Sequence, residues 1–360
     1  MEQGKHAKKK PSFREVAKLS KVSTATVSRV ARGQVNVDPA IRLRVRRAAE
    51  QLGMDLQERL NETSTIIAFI LSNRDVLNPF HSRVLVGAEN YCALQNRELL
   101  FMIFRYSPAV PPKDLHLPQI LGERATVRAA ILGGTNSSNM LAALRDREIP
   151  FAVLGNNVLG EWTPSECDTV FSDDVQGAFD LTRHLISDGH RDIWFIGDVE
   201  LPWYARCAEG YRRAMAEAGL QQRLSQIHSD DHELGYLGMR SILSRREPVT
   251  AVFAGSDPVA RGVYEALHQS GLNIPNDISV AGFNDSEAWL MAPSLTTVKE
   301  FPEELGKHLA EFVLSRIQKP DQKPQQLTIP TRVIVRESTR PLAPSHVTPL
   351  GADSDAPLLS

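Results

Sequence analysis

The chain has 360 residues, 42% of them hydrophobic and 23% charged, with a formal net charge of −2. These proportions suit two or three globular domains with a large core and exclude a disordered or collagen-like chain. No run reaches the roughly 18 apolar residues of a membrane-spanning helix, and no apolar segment follows the lysine-rich start as it does in a secretory signal, so a cytoplasmic protein is expected.

The near-neutral total hides an asymmetry. Residues 1–60 hold 14 Lys and Arg against 6 Asp and Glu, a net of +8, whereas residues 61–360 hold 27 against 37, a net of −10. A basic head on an acidic body is the pattern of a nucleic-acid module joined to something else. Residues 1–10, MEQGKHAKKK, carry four lysines and no apolar run, and read as a basic disordered arm for phosphates.

Residues 11–53 read as a three-helix head. Ser12 with Glu15 three residues later has the capping-box pattern, and Ser23 is a good N-cap for a second short helix. Phe13, Val16, Ala17, Val22, Val27 and Val30 supply apolar positions at helical spacing. Between its valines the second helix presents Thr24, Ala25, Ser28 and Arg29. Small residues allow close approach to the major groove, and an Arg can donate twice to guanine O6 and N7. A structural helical hairpin has the same spacing; the charge of the head favours DNA. The third helix has Asp38 as N-cap, Pro39 at its first position and Gly53 just past its end. Ile41, Val45, Ala48 and Leu52 form its apolar stripe, with Arg42, Arg44, Arg46 and Arg47 around it.

Residues 54–65 form a joint, and from Thr65 the pattern changes. TIIAFIL, a helix near Ser82–Gln95, ELLFMIF, AAILGG, Met140–Arg147 and PFAVLG alternate as βαβ units of a parallel sheet. TVFSD, Gln176–Ser187, DIWFIGD, Ala205–Ala218, Leu234–Ser244, TAVFAG, Pro258–Ser270 and ISVAGF repeat the alternation. LTTVKE, a helix over Phe301–Gln318 and QLTIPTRVIVRES close the series, and residues 341–360, rich in Pro, Ser and Asp, read as a disordered tail. Cys92, Cys167 and Cys207 show no CxxC spacing and read as reduced structural thiols. The ten histidines show no HExxH and a single HxxxH, His228–His232, so no metal site is expected, and no cofactor.

VSTATVSRV and the helices around it, with the third helix ending in AAEQLG, resemble the DNA-binding head of the LacI/GalR family of bacterial transcription regulators. The rest of the chain resembles that family's ligand core, which is similar to periplasmic sugar-binding proteins. The landmarks are NPF at Asn78–Phe80, LISDGHRDIWFIG, RCAEGYRRAMAEAGL, DISVAGFND and SLTTVKE. The fold class implied is α/β: a helix-turn-helix head on a two-lobed parallel α/β core spanning residues 66–340. The resemblance divides it into lobe 1 at about 66–164 and 294–323 and lobe 2 at about 165–293 and 324–340, with crossings near Ser165, Pro293 and Lys323.

By the same resemblance Thr24, Ala25 and Arg29 read bases, with Ser23 and Ser28 beside them, and Leu60 is the candidate for a minor-groove wedge from the joint. The joint looks a few residues short for the family, and Asp55, Glu58 and Glu62 are unfavourable to phosphates. Lys21 occupies a turn position where the family usually has a permissive residue. In the cleft, Phe80 would stack on a ligand, Arg206 would bind vicinal hydroxyls or a carboxylate, and Asn284 stands where the family often has Asp, with Asp285 as its substitute. Asp257 reads equally as ligand contact or helix cap, and Asp230 stands where relatives place an aromatic platform. His190 reads as a turn residue. The implied partners are double-stranded operator DNA, a sugar or related metabolite, and a second copy of the chain. The dimer surface is expected around Val84–Leu94, Leu237–Leu243 and Val259–His268, and Pro344, Pro349 and Pro357 rule out a C-terminal tetramerising helix. The alternatives are a solute-binding protein, which would need export, and an α/β enzyme, for which no GxGxxG, GxSxG or P-loop follows a strand.

Overall fold

A computed structural model describes residues 11–31, 37–56, 66–74, 78–122 and 126–342. The basic arm, Leu60 with most of the joint, and the tail beyond 342 lie outside the described residues.

The head folds as three helices: α1 (Phe13–Ser20), α2 (Thr24–Ala31) and α3 (Pro39–Gln51). The caps read from the sequence are made. The Glu15 carboxylate accepts from the Ser12 N–H at 2.6 Å, and Asp38 Oδ1 accepts from the Ala40 N–H at 2.8 Å. Lys21 ends α1 in the left-handed region (φ 54°, ψ 45°), donating its N–H to Ala17, at a steric cost on the order of 1 kcal/mol. Val16, Val27, Val30, Val45, Ala48 and Ala49 close the core. Met54 and Leu56 are also buried in it, so the head extends past Gly53 into what the sequence assigns to the joint. An apolar pair spaced by one residue gives no helical or strand signal, and only packing reveals where it goes.

The body holds two six-stranded sheets. In chain order its elements are β1 (Ile66–Ser72), α4 (Pro79–Leu94), β2 (Glu98–Phe104), β3 (Val127–Gly134), α5 (Ser138–Asp146), β4 (Phe151–Leu154) and β5 (Asp168–Ser172). Then come α6 (Asp174–Ser187), β6 (Ile193–Ile196), α7 (Pro202–Glu217), β7 (Arg223–Leu224), α8 (Asp231–Ser244), β8 (Ala251–Ala254), α9 (Asp257–Gln269) and β9 (Ser279–Asn284). β10 (Thr296–Lys299), α10 (Pro302–Gln318), β11 (Gln326–Ile329) and β12 (Arg332–Ile334) complete it, apart from short turns and bridges. The first sheet runs β11-β5-β4-β3-β1-β2, all parallel; the second runs β12-β10-β9-β8-β6-β7, parallel except for β12. Both lobes thus have one order, the doubly wound solution for buried apolar strands crossed by amphipathic helices.

Strand pairing corrects the expected crossings. β5 belongs to the first sheet and β10 to the second, so the chain changes lobe at Asp173, at Glu300–Phe301 and at Pro330–Thr331. Each lies several residues beyond the expected position, because an apolar run does not reveal which sheet it joins. Pro330, with no N–H to give a ladder, splits QLTIPTRVIV between the two sheets. The first and third crossings are tied together: Asp173 N–H donates to Ile329 O at 2.9 Å and the Thr331 hydroxyl donates to Asp173 O at 3.2 Å.

Helix α10 returns to cover the first sheet against α4, and their backbones touch. A Cβ on Gly306 would lie 1.9 Å from Val84 O, and one on Gly87 would lie 2.0 Å from Glu303 O. Gly306→Ala is expected to lower stability by about 1–3 kcal/mol in urea unfolding. Gly122→Ala, where a Cβ meets nothing within 4 Å, should stay within about 0.5 kcal/mol of the parent.

Candidate DNA-reading helix and interlobe cleft

Helix α2 buries Val27, Val30 and Ala31 against α1 and α3, which turns Thr24, Ala25 and Arg29 outward and leaves Ser28 half-buried. Ser23 caps it, its Oγ accepting from the Thr26 N–H at 3.1 Å. Arg44, Arg46 and Arg47 of α3 are exposed. This is a short helix with a free outer face, small residues at its N-terminal end and cations on a neighbouring helix, a geometry that fits a major groove.

The second site is the cleft between the lobes, at the carboxyl ends of the parallel strands, where open α/β sheets bind ligands. Its cavity is about 70 Å³. Asn78, Phe80 and His81 enter it from the start of α4, Asn156 and Asn157 from the turn after β4, and Asp174 from the start of α6. Trp203, Tyr204 and Cys207 reach it from α7, Asp231 from α8, Ser256 from the end of β8, Asn284 from β9 and Glu300 from the second crossing. Arg74 also lines it, its guanidinium 4.5 Å from the Trp203 ring centroid and its Nε donating to Thr135 Oγ1 at 3.2 Å.

Of the effector residues expected from the sequence, Phe80 and Asn284 line this cavity and four do not. Arg206 lies beside it, 5.5 Å from the Phe171 ring and with Nε 3.4 Å from Asp174 Oδ2, an ion pair that makes no hydrogen bond. One residue turns a helix by about 100°, so Cys207 faces the cavity instead. The Asp257 carboxylate is spent on structure. Oδ2 accepts from the Ser286 N–H at 2.6 Å and the Glu287 N–H at 3.1 Å, and Oδ1 accepts from Thr297 Oγ1 at 2.8 Å. Nor is it the cap: Ser256 caps α9. Asp285 accepts from Arg336 Nη2 at 2.8 Å, and exposed Asp230 is the residue before α8. Its neighbour Asp231 reaches the cavity, accepting from the Tyr204 hydroxyl at 2.7 Å. His190 is a buried turn residue, its Nε2 donating to Arg340 O at 3.2 Å and its Nδ1 3.1 Å from Thr250 Oγ1.

The cavity's electrostatics follow from burial. Burial, with the Arg74 charge added, pushes His81 down to about 3, so the ring is neutral. Its Nδ1 donates to Asn78 Oδ1 at 2.8 Å and its Nε2 accepts from Asn157 Nδ2 at 3.3 Å. Asp174 is raised above the carboxylate range by burial, against the pull of Arg206 and of the hydrogen bond from Asn156. Glu300 is raised further, by burial and then by the Asp174 charge. Asn156 anchors Asp174, donating to its Oδ2 at 2.6 Å, while Asp174 Oδ1 and Asn284 Oδ1 are buried without a hydrogen-bond partner. Asn284 holds φ at 89°, outside ordinary side-chain backbone space. Sequence reading gave Asp174 and Glu300 no role in the cleft, since their only local signal is a carboxylate one residue past a strand or crossing.

Asp198, Glu200 and His228 bring three possible metal-ligand atoms within 4.8 Å of one another. They lie outside the cavity lining, and the 2.9 Å Asp198–His228 hydrogen bond accounts for the grouping. The three cysteines are free and buried. No helix among the described residues is long and apolar enough to cross a membrane.

Residues 12–54 match the bacterial regulatory proteins of the lacI family, and residues 182–339 match the periplasmic binding protein-like domain. The ribose operon repressor of Escherichia coli K12 is 30% identical over 338 residues, which is 91% of this chain and 99% of the repressor. The solved complex of the transcriptional regulator CelR with cellobiose is 26% identical, with TM-score 0.66 over 91% of this chain and 99% of that one. A LacI family regulator from Enterococcus faecium with bound ribose is also 26% identical, with TM-score 0.65 over 77% and 100%. A capped groove-sized helix, two lobes of one strand order and likeness along nine-tenths of the chain have one reading: this chain belongs to the LacI family of bacterial transcriptional regulators.

Proposed function

We propose that this chain is a cytoplasmic, dimeric repressor whose grip on operator DNA is set by a hydroxyl-rich small molecule held between its lobes. The observation that carries the reading is the outward face of α2, with Thr24, Ala25 and Arg29 exposed on a helix held by a buried valine core. Trp203 and Phe80 offer ring faces to a sugar, and Asn157, Asp231 and Asn284 offer polar groups to its hydroxyls. Relatives that hold cellobiose and ribose support this class.

The second copy would cover exposed apolar side chains. Val86 and Leu94 of α4 and Leu237 of α8 lie within the surface expected from the sequence, and Trp289 and Leu290 in the loop after β9 add to it. Two heads on a two-fold axis read two half-sites. A ligand re-spaces them only as far as it binds the two lobe arrangements unequally.

The test is selection of duplexes from a randomised pool by the full-length protein, followed by salt titration on the enriched sequence. A near-palindrome is expected, with log K falling linearly as log salt rises. A pool with no enriched sequence would overturn the reading.

A further inference from the structure

The cleft lining has an unbalanced charge. Besides Tyr204 and Cys207, which burial keeps protonated, its ionisable groups are Arg74, His81, Asp174, Asp231 and Glu300. His81 is neutral, and Arg74 is engaged by Trp203 and Thr135. Arg206 offsets part of the Asp174 charge from outside the lining. Glu300 has no ion-pair partner among the described residues: Arg83, the cation it feels, gives Nε and Nη2 to Glu303 at 2.6 and 2.9 Å. The other groups around the pair are Ser172, Asn156, Cys207 and Asp257. Of these only Asp257 adds charge, and its sign is the same.

Two acceptor atoms of the lining lack a donor. Asp174 Oδ1 is unpartnered in a residue only 3% exposed, and Asn284 Oδ1 is also unpartnered. A carboxylate or phosphate ligand would add negative charge beside Asp174 and Glu300. A neutral polyol would fill the donor deficit but leave two buried carboxyls to share the charge of one, which is tolerated only when one of them keeps a proton. An ammonium group carries three donors and a compensating charge.

We propose that the cleft takes a hydroxylated ligand bearing a protonated amine, of the amino-sugar class, whose ammonium nitrogen docks on the Asp174 and Glu300 carboxylates. This rests on the cleft being the effector site. With the ammonium in place the proton held by the pair is no longer needed, and it leaves to solvent as the ligand enters. Asn284, with a carbonyl oxygen to offer and no charge, supplies the third acceptor.

The experiment uses full-length protein near neutral pH and matched sugars: glucose, glucosamine and glucuronic acid; galactose, galactosamine and galacturonic acid; mannose, mannosamine and mannuronic acid. The amino member of at least one trio is expected to raise the melting temperature most. Its calorimetric affinity should fall by about thirtyfold or more in Glu300→Gln, the lower end of the loss on removing one member of a buried charge pair. Its binding heat should change with the ionisation enthalpy of the buffer, with the sign of proton release. Asp174→Asn gives a second variant for the same readings. If a neutral or acidic member binds best in every trio, or the affinity of the amino member survives Glu300→Gln and Asp174→Asn, the amine assignment is overturned and the effector cleft stands. If no sugar shifts the melting temperature, the sugar-cleft reading falls and this inference falls with it.

Discussion

Arg29→Ala is expected to remove discrimination at one base pair of each half-site, costing about 1–3 kcal/mol there. Arg29 stands two residues after buried Val27 and one before buried Val30, so its side chain leaves the head from the free face of α2. Truncation touches none of the valines that hold the helix, and the head should stay folded, as circular dichroism of the variant can verify. The measurement is affinity for the selected duplex and for its single-base variants. Wild type should distinguish the substituted position, whereas Arg29→Ala should bind all four bases there with similar affinity. If affinity drops by one factor on every duplex instead, Arg29 touches phosphate and the base-reading assignment is wrong.

The second large effect is on stability, and it reverses the usual sense of losing a charged residue. Burial and the neighbouring Asp174 charge raise the Glu300 carboxyl above its unfolded value. Between those two values the folded chain keeps a proton that the unfolded chain has released. Stability is therefore greatest on the acid side of that interval and declines as pH rises through it, with the whole penalty felt once the folded carboxyl ionises. Gln cannot ionise and keeps both an acceptor and a donor. Wild type and Glu300→Gln should melt alike near about pH 5, and the variant should be the more stable near about pH 9 by on the order of a few kcal/mol. For a chain of this size that is several degrees of melting temperature. Asp257, raised to about 6 by burial in wild type and variant alike, leaves a weaker decline of the same sign in both. A variant less stable than wild type at alkaline pH would mean that Glu300 is held as a useful anion, and the charge imbalance in the cleft would lose its basis.

The two experiments probe the levels at which the chain was readable. Caps at Ser12, Ser23 and Asp38, the valines of α1 and α2, and the alternation of apolar runs with amphipathic helices are local patterns. Neighbours along the chain fix them, and they appear in the fold where the sequence puts them. The lobe assignment of β5, β10 and β11 is not local. Each is a short apolar run able to join either sheet, and only pairing partners far along the chain decide. Met54 and Leu56 joined the head for the same reason.

The cleft divides in the same way. Asn284 ends β9 and Phe80 stands in the first turn of α4, and their positions follow from those local elements. Arg206 missed the cavity because a single step around α7 gives that direction to Cys207. The fates of the carboxylates were out of reach from sequence: Asp257, Asp285, Asp174 and Glu300 all follow apolar runs by a residue or two. The first two are consumed by Ser286, Glu287, Thr297 and Arg336, and the last two are left in one cavity lining. Residue order and chemistry set the helices, strands, caps and charge of each segment, because those depend on neighbours within a few residues. Which acid is neutralised and which stays short of a partner is a sum of desolvation and pairing over groups gathered from the whole chain, and it exists only once the two lobes have closed around them.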